Sequence, residues 1–260
     1  MRPILFQLGS FTAYSYGFLI GLGAVASAVY VAVQGRRVAG LERSKVIDLF
    51  VCLFFAGFVG GKALLFFEDP SYYTANPGML LEERGFVFYG SFLLGVPTML
   101  WFFKRNGLPV RRMLDVMAVA TCLVQIFGRV GCFLAGCCHG KPTTSALGVS
   151  YVHSDCYAPL GQPLHAVQLY EAGFVLLVLF ALLALRDRIS FHGQLFLSYV
   201  VAYASGRLVL ESFRGDAERG LLFDGLLSHS QLIAIALLVV AGVTWTRWSR
   251  SERRLSTALQ

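Results

Sequence analysis

The chain has 260 residues, 56% hydrophobic and only 14% charged, where a soluble domain carries roughly 25% charge; it reads as an all-α integral membrane protein. The net charge of +7 would suit an acidic partner, but the cations alternate with apolar stretches and so report membrane topology. No nucleic-acid partner is expected.

Seven apolar stretches are long enough to span a bilayer, at about 13–34, 46–67, 86–103, 114–135, 166–185, 194–212 and 229–246. They predict about seven transmembrane helices in a single polytopic domain covering residues 1–260. The first stretch is too long for the h-region of a cleavable signal peptide and lacks a small-residue cleavage site, so it serves as the insertion signal. Tyr16 and Gly17 open it, and Arg36, Arg37, Arg43 and Lys45 follow it. The second carries Lys62 after Gly60-Gly61, close enough to the span's end for its ammonium to snorkel to the interface. The third, near the lower length limit, opens on Tyr89-Gly90 and is followed by Lys104, Arg105, Arg111 and Arg112. Tyr16 and Tyr89 suit either a site or an interfacial aromatic belt.

The fourth stretch closes on Gly128-Arg129-Val130-Gly131. A cation at bilayer depth costs several kcal/mol unless it faces a partner or a wet cavity, and the flanking glycines admit a head group or backbone closely. Residues 136–165, rich in Pro, Gly, Ser and His, predict an irregular extracytoplasmic cap. The fifth stretch opens on Gln168, Tyr170 and Glu171 and is followed by Arg186 and Arg188. The sixth closes on Arg207, Glu211 and Arg214, whose spacing also allows a purely structural charge ladder. Arg247, Arg250, Arg253 and Arg254 follow the seventh.

The positive-inside rule then puts the N-terminus outside and the C-terminus in the cytoplasm. On that topology the intramembrane polar residues gather toward the outer leaflet in a cavity cationic on balance: Lys62, Arg129, Arg207 and Arg214 against Glu171 and Glu211. Two buried arginines suit an anion held within the membrane, above all a lipid phosphate. A transporter is not expected, since the chain has neither two similar halves nor paired broken helices.

Six cysteines occur. Cys52 and Cys122 fall inside spans and read as packing residues. Cys132, Cys137 and Cys138 lie near His139, and Cys156 near His153. The C-x4-C-C-H spacing lacks the usual C-x2-C of zinc sites. On an oxidising side a disulfide from Cys137 or Cys138 to Cys156 is the simplest expectation, a reactive thiol beside Arg129 the next, and a metal the last.

Six segments in order resemble the prolipoprotein diacylglyceryl transferase family. Its G-R-x-G-N-F-x-N-x-E-x-x-G pattern matches the stretch from Gly128 to Gly140, and H-P-x-Q-L-Y-E matches His165 to Glu171. Its Y-x-x-x-R-F-x-x-E-x-x-R matches Tyr203 to Arg214, and an early Tyr-Gly matches Tyr16-Gly17. Tyr89 to Gly95 and Ser228 to Gln231 match the remaining two. Cys132, Ala135 and Cys137 replace the family's two asparagines and its acidic residue.

The resemblance implies a transferase that moves a diacylglyceryl group from phosphatidylglycerol to the lipobox cysteine of prolipoprotein signal peptides, in the bacterial inner membrane, without metal or organic cofactor. It implies Arg129, Arg207, Tyr89 and Glu211 as catalytic residues. It implies Tyr16, Lys62, Gly90, Gly128, Gly131, Gly140, Gln168, Tyr170, Glu171 and Arg214 as substrate-binding ones. The replaced signature leaves two other readings: a paralogue using another thiol acceptor, and a non-catalytic lipid- or peptide-binding membrane protein.

Overall fold

The computed structural model describes residues 2–9, 11–82, 88–215, 221–222 and 227–258. Arg84, Arg219 and the first two residues expected in the third span lie outside them. A hairpin of β1 (Ile4–Leu8) and β2 (Phe11–Tyr14) leads into α1 (Ser15–Ala39). There follow α2 (Arg43–Glu68), the short α3 (Pro70–Ala75) and α4 (Met79–Glu82), α5 (Phe88–Arg105) and α6 (Val110–Ala135). Two two-residue strands, β3 (Val149–Ser150) and β4 (Pro163–Leu164), precede α7 (Val167–Leu185) and α8 (Gln194–Leu210). The pair β5 (Leu221–Leu222) and β6 (Leu227–Ser228) precedes α9 (His229–Ala258).

A long helix thus stands at each of the seven apolar stretches. Among the described residues five are long and apolar enough to cross a membrane: Ser15–Ala39, Arg43–Glu68, Val110–Ala135, Val167–Arg188 and His229–Arg254. Their outward faces carry large apolar side chains, among them Phe54, Phe55 and Leu177. Such continuous apolar surface belongs against lipid rather than water.

The chain divides into two compact units, residues 1–30 with 114–260, and residues 31–113. The core of the first joins Val119 and Cys122 of α6 to Val175, Leu179 and Leu182 of α7 and Leu195 of α8. Glycines bring α1 onto α6. A Cβ on Gly23 would lie 3.0 Å from Phe127 Cβ, one on Gly128 3.1 Å from Ile20, and one on Gly131 3.1 Å from the Tyr16 ring. Ser27 Oγ donates to the Ala120 carbonyl at 2.7 Å across the same seam.

At the other end of α6, buried Asp115 caps α8. Its two oxygens accept from the backbone N–H groups of Gly193 at 2.6 Å and Phe196 at 3.0 Å, satisfying donors that a helix start leaves unpaired.

α6 ends in a Schellman turn. Gly136, at φ 75°, donates to the Phe133 carbonyl, and Cys137 N–H to that of Cys132 at 3.2 Å. Residues 136–165 are irregular apart from β3 and β4, with a small core of Tyr151, Ala158 and Leu164. Backbone bridges tie Gly140 to Arg214 and Pro142 to Leu164.

In the second unit α2 and α5 are the principal packing pair. Gly60 and Gly90 let their backbones touch: a Cβ on either would run into the other's carbonyl. Ser91 Oγ donates to the Gly57 carbonyl at 2.8 Å one turn away.

Candidate active site

Three helices of the first unit carry a buried line of alternating charge. Glu171 on α7 is 2% exposed and lies between two guanidinium groups. Its Oε1 is 2.9 Å from Arg129 Nη2 on α6, and its Oε2 3.5 Å from Arg207 Nη1 on α8. Arg207 Nη2 reaches Glu211 Oε2 at 2.9 Å, one helical turn on, and donates to Ser230 Oγ at 3.3 Å. Tyr203 OH donates to Glu171 Oε1 at 3.0 Å, and its ring stacks on Tyr199 at 5.8 Å.

Two cations and two carboxylates alternate, which is how a low-dielectric site keeps formal charges. The 3.5 Å approach at Arg207 Nη1 is an ion pair without a hydrogen bond, so that donor retains capacity. The Arg129 side chain is 21% exposed and that of Arg207 11%, so Arg129 is the more accessible of the two.

Beside this cluster Gln168 anchors the irregular segment that follows α6. Its Nε2 donates to the Cys137 carbonyl at 2.6 Å and to Tyr151 OH at 3.1 Å, while its buried Oε1 has no hydrogen-bond partner among the described residues. Burial raises the Tyr151 hydroxyl above the ordinary tyrosine range. Tyr170 OH lies 3.3 Å from His165 Nδ1, and both rings meet Phe213 edge-on. Gly140 has no room for a side chain: a Cβ would lie 2.5 Å from both Cβ and carbonyl O of His165.

The expected residues are distributed as follows. Arg129, Glu171, Arg207 and Glu211 form one connected cluster. Gln168, Tyr170 and Gly140 border it at the start of α7 and in the cap. Arg214 is buried but lies past α8 in extended backbone bridged to Gly140, not on a helical ladder. Gly128 and Gly131 face Ile20 and Tyr16, so here α1 occupies the space the glycines open. Lys62, Tyr89 and Gly90 belong to the second unit, where Lys62 is buried and Gly90 meets Gly60.

The cysteines depart from expectation. All six are unlinked. The sulfurs of Cys132, Cys137 and Cys138 lie within 4.8 Å of one another, without Cys156. The Schellman turn folds Cys137 back over Cys132, while Cys156 lies against Gly136 of the same turn. Cys138 follows at φ 58°, the sole non-glycine residue with positive φ among those described, a conformation costing of order 1–3 kcal/mol. Hydrogen bonds from the Cys132 and Cys137 thiols hold the Cys138 thiol below its ordinary range.

Two further residues join the site. Tyr203 lies one turn before Arg207 on the same helix face, a spacing the sequence shows. Ser230 carries no local signal, since its partner Arg207 is distant in sequence.

A family model described as prolipoprotein diacylglyceryl transferase matches residues 3–247. The chain is 33% identical over 241 residues to a phosphatidylglycerol–prolipoprotein diacylglyceryl transferase of Clostridium tetani, covering 92% of this chain and 95% of the relative. It is 32% identical over 241 residues to the transferase numbered 2 of Clostridium perfringens, covering 92% of each chain. It is 30% identical over 240 residues to that of Dehalococcoides mccartyi, covering 92% of this chain and 90% of the relative.

Proposed function

The chain belongs to the prolipoprotein diacylglyceryl transferase family, and from that premise we propose that it moves a diacylglyceryl group from phosphatidylglycerol to the lipobox cysteine of prolipoproteins. It is a multi-pass membrane protein of bacterial type. All seven long helices span the cytoplasmic membrane in this reading, with the N-terminus outside, the C-terminus in the cytoplasm and residues 136–165 as an outer cap.

The observation that carries the proposal is the pair Arg129 and Arg207 held by one buried carboxylate. In the reaction the acceptor sulfur forms a bond to the glyceryl carbon as the carbon–oxygen bond to phosphate breaks. The electron pair stays on the phosphate oxygen, glycerol 1-phosphate leaves, and a thioether remains. Charge therefore builds on phosphate, where preoriented guanidinium donors stabilise it most.

Arg129, the more accessible, meets that phosphate, and Arg207 supports it from across the shared Glu171 carboxylate. Glu171 and Glu211 are positioning residues that fix both planes. The thiol must lose its proton to attack. Tyr89 orients the acceptor. Lys62, Tyr16, Gly90, Gly128, Gly131, Gly140, Gln168, Tyr170 and Arg214 shape the lipid and peptide sites.

The test is complementation of a bacterium depleted of its own diacylglyceryl transferase, with a model lipoprotein followed by mass spectrometry. A diacylglyceryl adduct on the lipobox cysteine, lost in Arg129→Ala and Arg207→Ala, is expected. No adduct from well-inserted protein would overturn the reading in favour of another thiol acceptor or of a binding protein.

A further inference from the structure

We propose that Cys132, Cys137 and Cys138 form a binding site for one soft d10 metal ion, Zn2+ or Cu+. Three thiols approach one another because two backbone features act in sequence. The Schellman turn brings its third-last helical residue, Cys132, against the second residue past the cap, Cys137, the pair of positions that ordinarily make a hydrophobic contact. Positive φ at Cys138 then turns the next thiol onto the same spot. The pattern of a short local turn thus supplies what the missing C-x2-C spacing would have supplied.

All three sulfurs lie within 4.8 Å of one another. Metal–sulfur bonds of about 2.3 Å in a tetrahedral or trigonal arrangement place sulfurs roughly 4 Å apart, so the ion needs only a small contraction. A disulfide would use two of the three and leave the third. Cys132 is buried and the other two are half-buried, which leaves the group reachable from one side.

The setting suits a thiolate-rich centre. Arg129 lies within electrostatic reach of Cys132 and Cys138, and Arg214 of Cys138. Three thiolates around Zn2+ carry one net negative charge, and around Cu+ two, which these guanidinium groups offset. Binding forms three metal–sulfur bonds and releases the thiol protons to solvent, with no change of oxidation state. Three protein ligands leave a fourth coordination position for a further ligand.

The test uses the full chain, reduced and metal-depleted in detergent, titrated separately with Zn2+ and with Cu+ while bound metal is counted by elemental mass spectrometry. One equivalent per chain is expected, and the arm that saturates first identifies the ion. Cys132→Ser and Cys137→Ser should weaken binding more than roughly 100-fold, beyond what loss of an outer-shell partner does. Cys138→Gly should do the same while relieving the positive φ, so that failure to fold does not obscure the result. Cys156→Ser should bind as the parent does.

The proposal is overturned by absence of stoichiometric metal in folded protein, by undiminished binding in the three variants, or by loss of binding in Cys156→Ser. Thiol mapping that finds Cys132 and Cys137 disulfide-bonded in the protein as isolated would overturn it as well. The readout is metal, not lipid transfer, so it stands or falls apart from the transferase reading.

Discussion

Arg129 Nη2 lies 2.9 Å from Glu171 Oε1, and the same carboxylate faces Arg207 from its other oxygen. One acid therefore sets the spacing between two guanidinium groups contributed by different helices. Removing it leaves Arg129 buried without its carboxylate and Arg207 with Glu211 alone. Glu171→Ala should lower the stability of the solubilised protein by on the order of 3 kcal/mol, seen as a fall in thermal midpoint. An unchanged midpoint would refute the bridging role. Glu171→Gln, which keeps an acceptor for Tyr203, should lose less.

Arg129→Lys keeps the charge but not the planar, forked donor set. The rate of lipoprotein modification should fall on the order of 100-fold, the scale of losing one aligned transition-state donor. Time courses of adduct formation at equal protein levels check it. A lysine variant as fast as the parent would mean that charge alone suffices there.

Two glycines of α5 should respond oppositely to the same substitution. At Gly90 a Cβ would strike the Gly60 backbone, while nothing lies within 4 Å of one at Gly95. Gly90→Ala should cost about 1–3 kcal/mol through overpacking. Gly95→Ala should be neutral or stabilise by up to about 1 kcal/mol through helix propensity. Denaturation of both variants in one detergent decides, and equal effects would contradict the contact.

Asp115→Ala removes the acceptor for two backbone N–H groups at the start of α8. A loss of about 1–2 kcal/mol is expected, with Arg207 at the far end of the helix less well held. Asp115→Asn, which keeps one acceptor oxygen, should lose less in the same melting experiment. If Asp115→Ala melts as the parent does, the cap contributes nothing.

Much of the architecture was legible because apolar length is a local property: each of the seven stretches became a long helix. The Arg207–Glu211 pair was legible too, since i,i+4 neighbours meet on any helix. The Arg129–Glu171 pair was not, because nothing in either segment says that α6 and α7 bring those two faces together. Glu171 was placed in a site, but not as the bridge between the arginines. The disulfide to Cys156 was inferred from compartment and number, and neither carries direction. The turn after Ala135 carries it, and Gly136 was its available signal.

The alternation of charge across α6, α7 and α8 constrains how the protein is made. Arg129 on α6 and Glu171 on α7 carry opposite charges into the site on separate helices, and a charge without its partner is costly within a bilayer. Neither helix settles fully without the other, and α8 then adds Arg207 beside the same carboxylate. Glu211, one turn after Arg207, restores neutrality to the cluster. On the proposed seven-span topology the segment from Val110 to Phe213 is therefore expected to enter the lipid as one cohort, held at the translocon until its members have found each other.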